Sequence, residues 1–167
     1  MLHTELSADR LRELLDYDPA TGAFTWRVFV KGARGKGAVA GHSRPDGYQT
    51  IVVDKRRYLS HRLAWLWMTG AWPSDMLDHA DRNPSNNAFA NLREATRSQN
   101  MANASMKATN RTGLKGVVMD RRDGRYAARI QKQGKPKSLG YFDCPAAAHF
   151  AYVVEANRLF GKFARAS

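Results

Sequence analysis

Apolar positions along the chain change period several times, and each change marks an element. Between residues 7 and 17, Leu11, Leu14 and Leu15 recur at helical spacing behind Ser7, which can cap the first turn; this predicts a short helix. Asp18-Pro19-Ala20-Thr21-Gly22 is a turn signal, and residues 23–30, rich in aromatic and β-branched side chains, predict a strand. Further strands are expected at 47–53 and 57–59, and then a helix over 60–70, capped by Ser60, ended by Gly70 and carrying Leu63, Leu66 and Trp67 on its core face. A short apolar run ends at Asp78-His79. An Asn-rich loop follows and reaches Asn91; a second run, Leu92–Ala95, leads into a helix through Thr96-Arg97-Ser98-Gln99, which has the capping-box pattern. From residue 115 the period drops to two. Strands are expected at 115–119, 125–132 and 137–142, with turns at Asp123-Gly124 and Gln133-Gly134. A closing helix, about 143–160, has Ala147, Phe150, Ala151, Val154 and Leu159 as its expected apolar face.

Composition narrows the function classes. The 167 residues carry a formal charge of +12, which points to a polyanion partner, and no long basic amphipathic helix stands out to favour acidic lipid. The longest apolar run, 63–68, is far too short to span a bilayer, and the first ten residues have no signal-peptide core, so no membrane partner is expected and the expected location is the cytoplasm. One cysteine, Cys144, excludes an intramolecular disulfide and paired-cysteine zinc sites. The glycine-rich loop with Lys31, Arg34 and Lys36 lacks Walker spacing; it reads either as a solvated loop or as one closing on DNA phosphate.

The chemistry concentrates between residues 76 and 107. One carboxylate (Asp78), one imidazole (His79) and two amides (Asn91, Asn100) can converge in a strand–loop–strand–helix unit. That set suits metal-assisted phosphodiester hydrolysis: hard oxygen for a divalent cation, neutral imidazole as base, and an amide to orient it. Neighbouring strand residues point to opposite faces, so Asp78 and His79 share a site only if the strand ends between them; the turn-forming Ala80-Asp81-Arg82-Asn83-Pro84 that follows allows this.

The order Asp-His, Asn, then Asn on a helix resembles the HNH (ββα-metal) motif of phage and intron-encoded homing endonucleases. The resemblance implies His79 as general base, Asn91 as the residue orienting its ring, Asp78 and Asn100 as holders of Mg²⁺ (or Mn²⁺), and products with 5′-phosphate and 3′-hydroxyl ends. Asn100 stands where several family members have a second histidine. Asn86 and Asn87 read as loop builders. His61 and Arg62 match a His-Arg pair upstream of the family's motif, where a structural or phosphate-contacting role is expected rather than catalysis; Asn103 and Lys107 read as phosphate contacts or solvated residues.

Residues 113–164 resemble the AP2 DNA-binding domain through Lys115-Gly116-Val117, the run from Gly124 to Ile130, Leu139-Gly140-Tyr141-Phe142 and Leu159-Phe160-Gly161. The resemblance implies a sheet in the major groove, with Lys115, Arg121, Arg122, Arg125, Arg129 and Gln131 as DNA-binding residues. Asp123 replaces the tryptophan of plant members, so that contact is not carried over. The expected fold is α+β: an HNH core with N-terminal helix and strands (1–107), a linker (108–112) and a three-stranded-sheet-and-helix module (113–167). The expected activity is metal-dependent cleavage of double-stranded DNA; the alternative is a DNA-binding regulator with an HNH-like fold that does not cut.

Overall fold

A computed structural model describes residues 5–29, 35–106 and 109–166. Lys31, Arg34 and Lys107 lie outside the described residues. The backbone clusters into two compact units, Met1–Glu94 and Ala95–Ser167, and both mix helices with small antiparallel sheets, an α+β architecture.

The first unit opens with α1 (Ala8–Leu14), whose cap Ser7 accepts a hydrogen bond from the Arg10 amide at 3.1 Å. The helix stops earlier than expected because Leu15 and Tyr17 alternate with exposed Asp16 and form β1 (Leu15–Tyr17) instead. β1 pairs with β2 (Phe24–Trp26), which pairs with β3 (Val39–Ala40). A second sheet joins β4 (His42–Ser43), β5 (Gln49–Val53) and β6 (Arg56–Leu59). Asp54 and Lys55 turn β5 into β6 with φ of 46° and 66°, the left-handed pair of a tight hairpin. In α2 (Ser60–Thr69) the cap position falls on Leu59. Ser60, expected as the cap, is the first helical residue, and its hydroxyl is buried without a hydrogen-bond partner. Leu11, Leu15, Phe24, Ile51, Val53, Leu63 and Leu66 fill the core between α1, α2 and the sheets. β7 (Met76–His79) then pairs with β8 (Leu92–Ala95) around the Asn-rich loop.

In the second unit α3 (Arg97–Asn103) begins with the full capping box: Thr96 accepts from the Gln99 amide, and the Gln99 side chain accepts from the Thr96 amide. β9 (Val117–Met119), β10 (Tyr126–Lys132) and β11 (Lys135–Phe142) form a sheet with β10 central. α4 (Pro145–Phe160) covers one face, where Ala148 meets Val117 and Ala128, and Tyr152 and Ala156 meet Ile130. The face of α4 differs from expectation. Ala148, Tyr152, Ala156 and Phe160 are buried, whereas Phe150 and Val154 are 70% and 51% exposed. Two apolar stripes run along this helix; the buried one sets the small Ala148 in the cluster with Ala128 and the larger Tyr152 and Phe160 in the cluster with Ile130. Gly116, at φ 78°, shows how closely the chain approaches α4: a Cβ there would lie 2.1 Å from the Tyr152 ring.

Candidate active site at the end of β7

The loop between β7 and β8 is built from its own amides. Asn91 Nδ2 donates to Asp81 Oδ1 and to the Asn86 carbonyl, both at 2.9 Å, and Asn91 Oδ1 accepts the Asp81 amide at 3.0 Å. Asn86 Nδ2 donates to Asp81 Oδ2 at 2.7 Å, and the Ala80 amide donates to the Asn91 carbonyl at 2.9 Å. Partial burial pushes the Asp81 carboxyl up, but hydrogen bonds from Asn83, Asn86 and Asn91 outweigh it and hold the group below the usual carboxylate range. The side chain of Asn91 therefore ties the loop shut on Asp81, two residues past the end of β7 at His79.

β7 ends at His79, and the chain turns at once, with the Arg82 amide on the His79 carbonyl. Asp78 and His79 are each only 5% exposed, so the strand end buries both. The amide that reaches the imidazole is Asn87: its Oδ1 lies 3.4 Å from His79 Nε2, long for a hydrogen bond. Asn87 is 1% exposed. Sequence reasoning took it for a loop builder; its one local signal is its place in an Asn pair. Around the ring stand Tyr48 at 5.9 Å and His61 at 5.0 Å, edge-on at 81°. Burial pushes the His79 imidazole below its ordinary value; Asn87, Asp81 and Asp78 pull it back up. His61 is pushed down to about 4, first by burial and then by His79 and Arg62. Both rings are thus neutral near neutral pH. His61 is buried with Nδ1 unpartnered, which favours the structural role over the phosphate contact among the two expected for it. Arg62, half-buried, lies over the Trp72 ring at 5.5 Å.

Asp78 Oδ2 is bonded by Arg93 through Nε at 2.9 Å and approached by Nη2 at 2.8 Å. β7 and β8 are sheet neighbours, which places this arginine, unremarked in the sequence, at the carboxylate. As a hard oxygen donor beside phosphate oxygens, one carboxylate suits Mg²⁺, which keeps most of its water and takes one or two carboxylates. Among the described residues no group of three or more His, Cys, Asp or Glu is gathered for an all-protein cage.

Asn100, half-buried, sits on α3 of the second unit. Asn103 is buried there at 1% exposure and accepts from Arg165, which replaces the expected phosphate contact: it lies on the inward side of α3, next to buried Ala102. Lys115 is likewise turned inward, donating to the Ala102 and Ala104 carbonyls at the end of α3, both at 2.6 Å. Arg121, Arg122, Arg125, Arg129 and Gln131 are exposed. Of these, Arg125 pairs with Asp123 and lies over Tyr141, and Gln131 donates to the Gly134 carbonyl.

No helix among the described residues is long and apolar enough to cross a membrane. No solved structure matches the chain. Protein 3.8 of Escherichia phage T7 is 29% identical over 119 residues, which cover 71% of this chain and 95% of that protein. Residues 58–102, from β6 through α2, the Asp-His strand and its Asn-rich loop to α3, match the HNH endonuclease family, so the segment holding His79 is similar to a nuclease domain.

Proposed function

We propose that the chain is a metal-dependent DNA endonuclease of the homing type, with His79 as the general base. The observation that carries this reading is a buried imidazole at a strand end, next to a carboxylate and inside the HNH-like segment. A neutral ring is the form that takes a proton. His79 removes the proton from a water molecule as that water attacks phosphorus, and the 3′ oxygen leaves. Asn91 serves the ring at one remove, by closing the loop on Asp81 and by taking the Ala80 amide. Asp78 is the protein's oxygen donor for Mg²⁺ or Mn²⁺, which when bound supplies positive charge to the scissile phosphate and the leaving oxygen. The AP2-like sheet of the second unit is the proposed DNA-reading surface, supported by exposed Arg129 on the face away from α4.

A second reading is a DNA-binding regulator that does not cut. It is favoured by the Arg93–Asp78 ion pair, which engages the carboxylate meant for the cation. Supercoiled plasmid separates the two. Conversion to nicked or linear product with Mg²⁺, and none in chelator, is the expected result. Plasmid that is bound but stays supercoiled with Mg²⁺ and Mn²⁺ sinks the nuclease reading.

A further inference from the structure

Asn87 is the most deeply buried amide of the catalytic loop, and three separate elements converge on it. Tyr17, at the end of β1, donates its hydroxyl to the Asn87 carbonyl at 2.7 Å; burial pushes that phenol up to about 12, so it stays a donor. Gly22, in the turn after β1, sits at φ 78°, and a Cβ there would lie 2.3 Å from the Asn87 carbonyl carbon. Gln49, the first residue of β5, accepts from Asn87 Nδ2 at 3.2 Å. Burying an amide is costly unless its polar atoms are bonded. Asn87 meets that demand in a way that leaves one orientation. Its Nδ2 faces two acceptors, Gln49 Oε1 and the Ser85 carbonyl, both at 3.2 Å, so its Oδ1 is the atom that faces His79 Nε2.

We propose that Asn87, oriented by Gln49, sets the His79 tautomer, with the proton on Nε2 and the basic lone pair on Nδ1. The inference rests on the reading of His79 as general base. A carbonyl oxygen can only accept, so the neutral imidazole opposite it places its single N–H on Nε2, and Nδ1 is the nitrogen that takes the proton from water. As Nδ1 gains that proton the ring becomes cationic, and the Nε2–H contact to Asn87 becomes charge-assisted and stronger. The amide then contributes more in the transition state than in the ground state, which assigns its effect to kcat rather than KM. Asn87 is a positioning residue, distinct from Asn91, whose side chain closes the loop on Asp81.

The test is the tautomer of His79 in the ¹⁵N-labelled full chain without DNA, read from long-range ¹H–¹⁵N spectra of the histidine rings and assigned with His79→Gln. The wild type is expected to show a pyrrole-like Nε2 and a pyridine-like Nδ1. Asn87→Leu mixes the two tautomers and lowers kcat by roughly 10- to 100-fold, the range for residues that orient a functional group, with KM nearly unchanged. Gln49→Leu, at a half-buried strand position, frees the amide to turn and moves the ring toward Nδ1–H; Gln49→Glu does not. It also gives the readout if Asn87→Leu fails to fold. An Nδ1–H ring in the wild type, or an unchanged tautomer in both Leu variants, overturns the proposal. Full cleavage by His79→Ala would instead remove the base assignment and leave the spectra to judge the tautomer alone.

Discussion

In the first unit Asp78, His79, His61 and Asn87 are 5%, 5%, 6% and 1% exposed, while in the second unit Arg121, Arg122, Arg125, Arg129 and Gln131 stand in solvent. The buried set is interlocked. Arg93 bonds Asp78, Asn87 meets His79, and Gln49 and Tyr17 hold Asn87. Removing one member strands its partner in a poorly solvated place, so changes there are large and non-additive. The exposed residues make local pairs, such as Arg125 with Asp123 and Gln131 with the Gly134 carbonyl, which water and salt replace at little cost. One region fixes its polar groups in mutually dependent positions; the other presents charge whose local pairs exchange readily with water and salt.

The contrast can be broken most sharply at His79. His79→Ala is expected to lower cleavage by about 10²–10⁴-fold, the usual contribution of a general base, with DNA affinity nearly unchanged. Single-turnover cleavage measured beside filter binding checks this, and equal losses in both would move His79 from chemistry to binding.

Acid comes next. The folded value of His61 is depressed to about 4 from an ordinary 6.5, so the unfolded chain binds more protons between these values. The stabilisation from the neutral ring is present above about pH 6.5 and is lost as pH falls toward 4, by up to about 3 kcal/mol. In the second unit Glu155 is held down from 4.5 to about 2 by Arg158 and then Lys137, so its contribution is intact over most of that window and is lost as pH falls from about 4.5 toward 2. Hydrogen exchange followed from pH 7 to 4.5 should show protection falling first around β5, α2 and β7. Parallel loss in β10 and α4 would erase the distinction.

The smallest effect expected is at Arg129. It lies on the exposed face of β10 opposite Ser138, away from α4. As a base-reading residue, Arg129→Ala costs roughly 1–3 kcal/mol at the preferred site and relaxes choice at one position. A uniform loss on all sequences, with the salt slope falling by about one unit, would make it a phosphate contact instead. A randomised-site selection distinguishes these.

Features written in neighbouring residues were legible from the chain alone. The capping box at Thr96 needs only residues 96–99, and the tight turn at Gln133-Gly134 needs only two residues able to take positive φ. In β10 a period of two places Ile130 inward and Arg129 and Gln131 outward, but it does not foretell that Ala127 and Ala128 are both buried where the register shifts between Ala128 and Arg129. The adjacent Asp78 and His79, at the end of a short apolar run, were also visible as a candidate site.

What the sequence determined by itself is therefore the order of elements, the basic charge and the residue types available for hydrolysis, because these depend on local propensity and composition. Tertiary structure decided which stripe of α4 is covered, because Phe150 and Val154 are as apolar as the buried stripe and only the packing against Ala128 and Ile130 chooses between them. It also decided that Asn87 rather than the Asn91 side chain faces the His79 ring, that Arg93 holds Asp78, and that His61 stands against His79. These partners are 8, 15 and 18 residues apart along the chain. No local period encodes them; they meet because the loop is pinned from outside by Tyr17, Gly22 and Gln49, and a buried polar atom settles on whichever partner the packing leaves within reach.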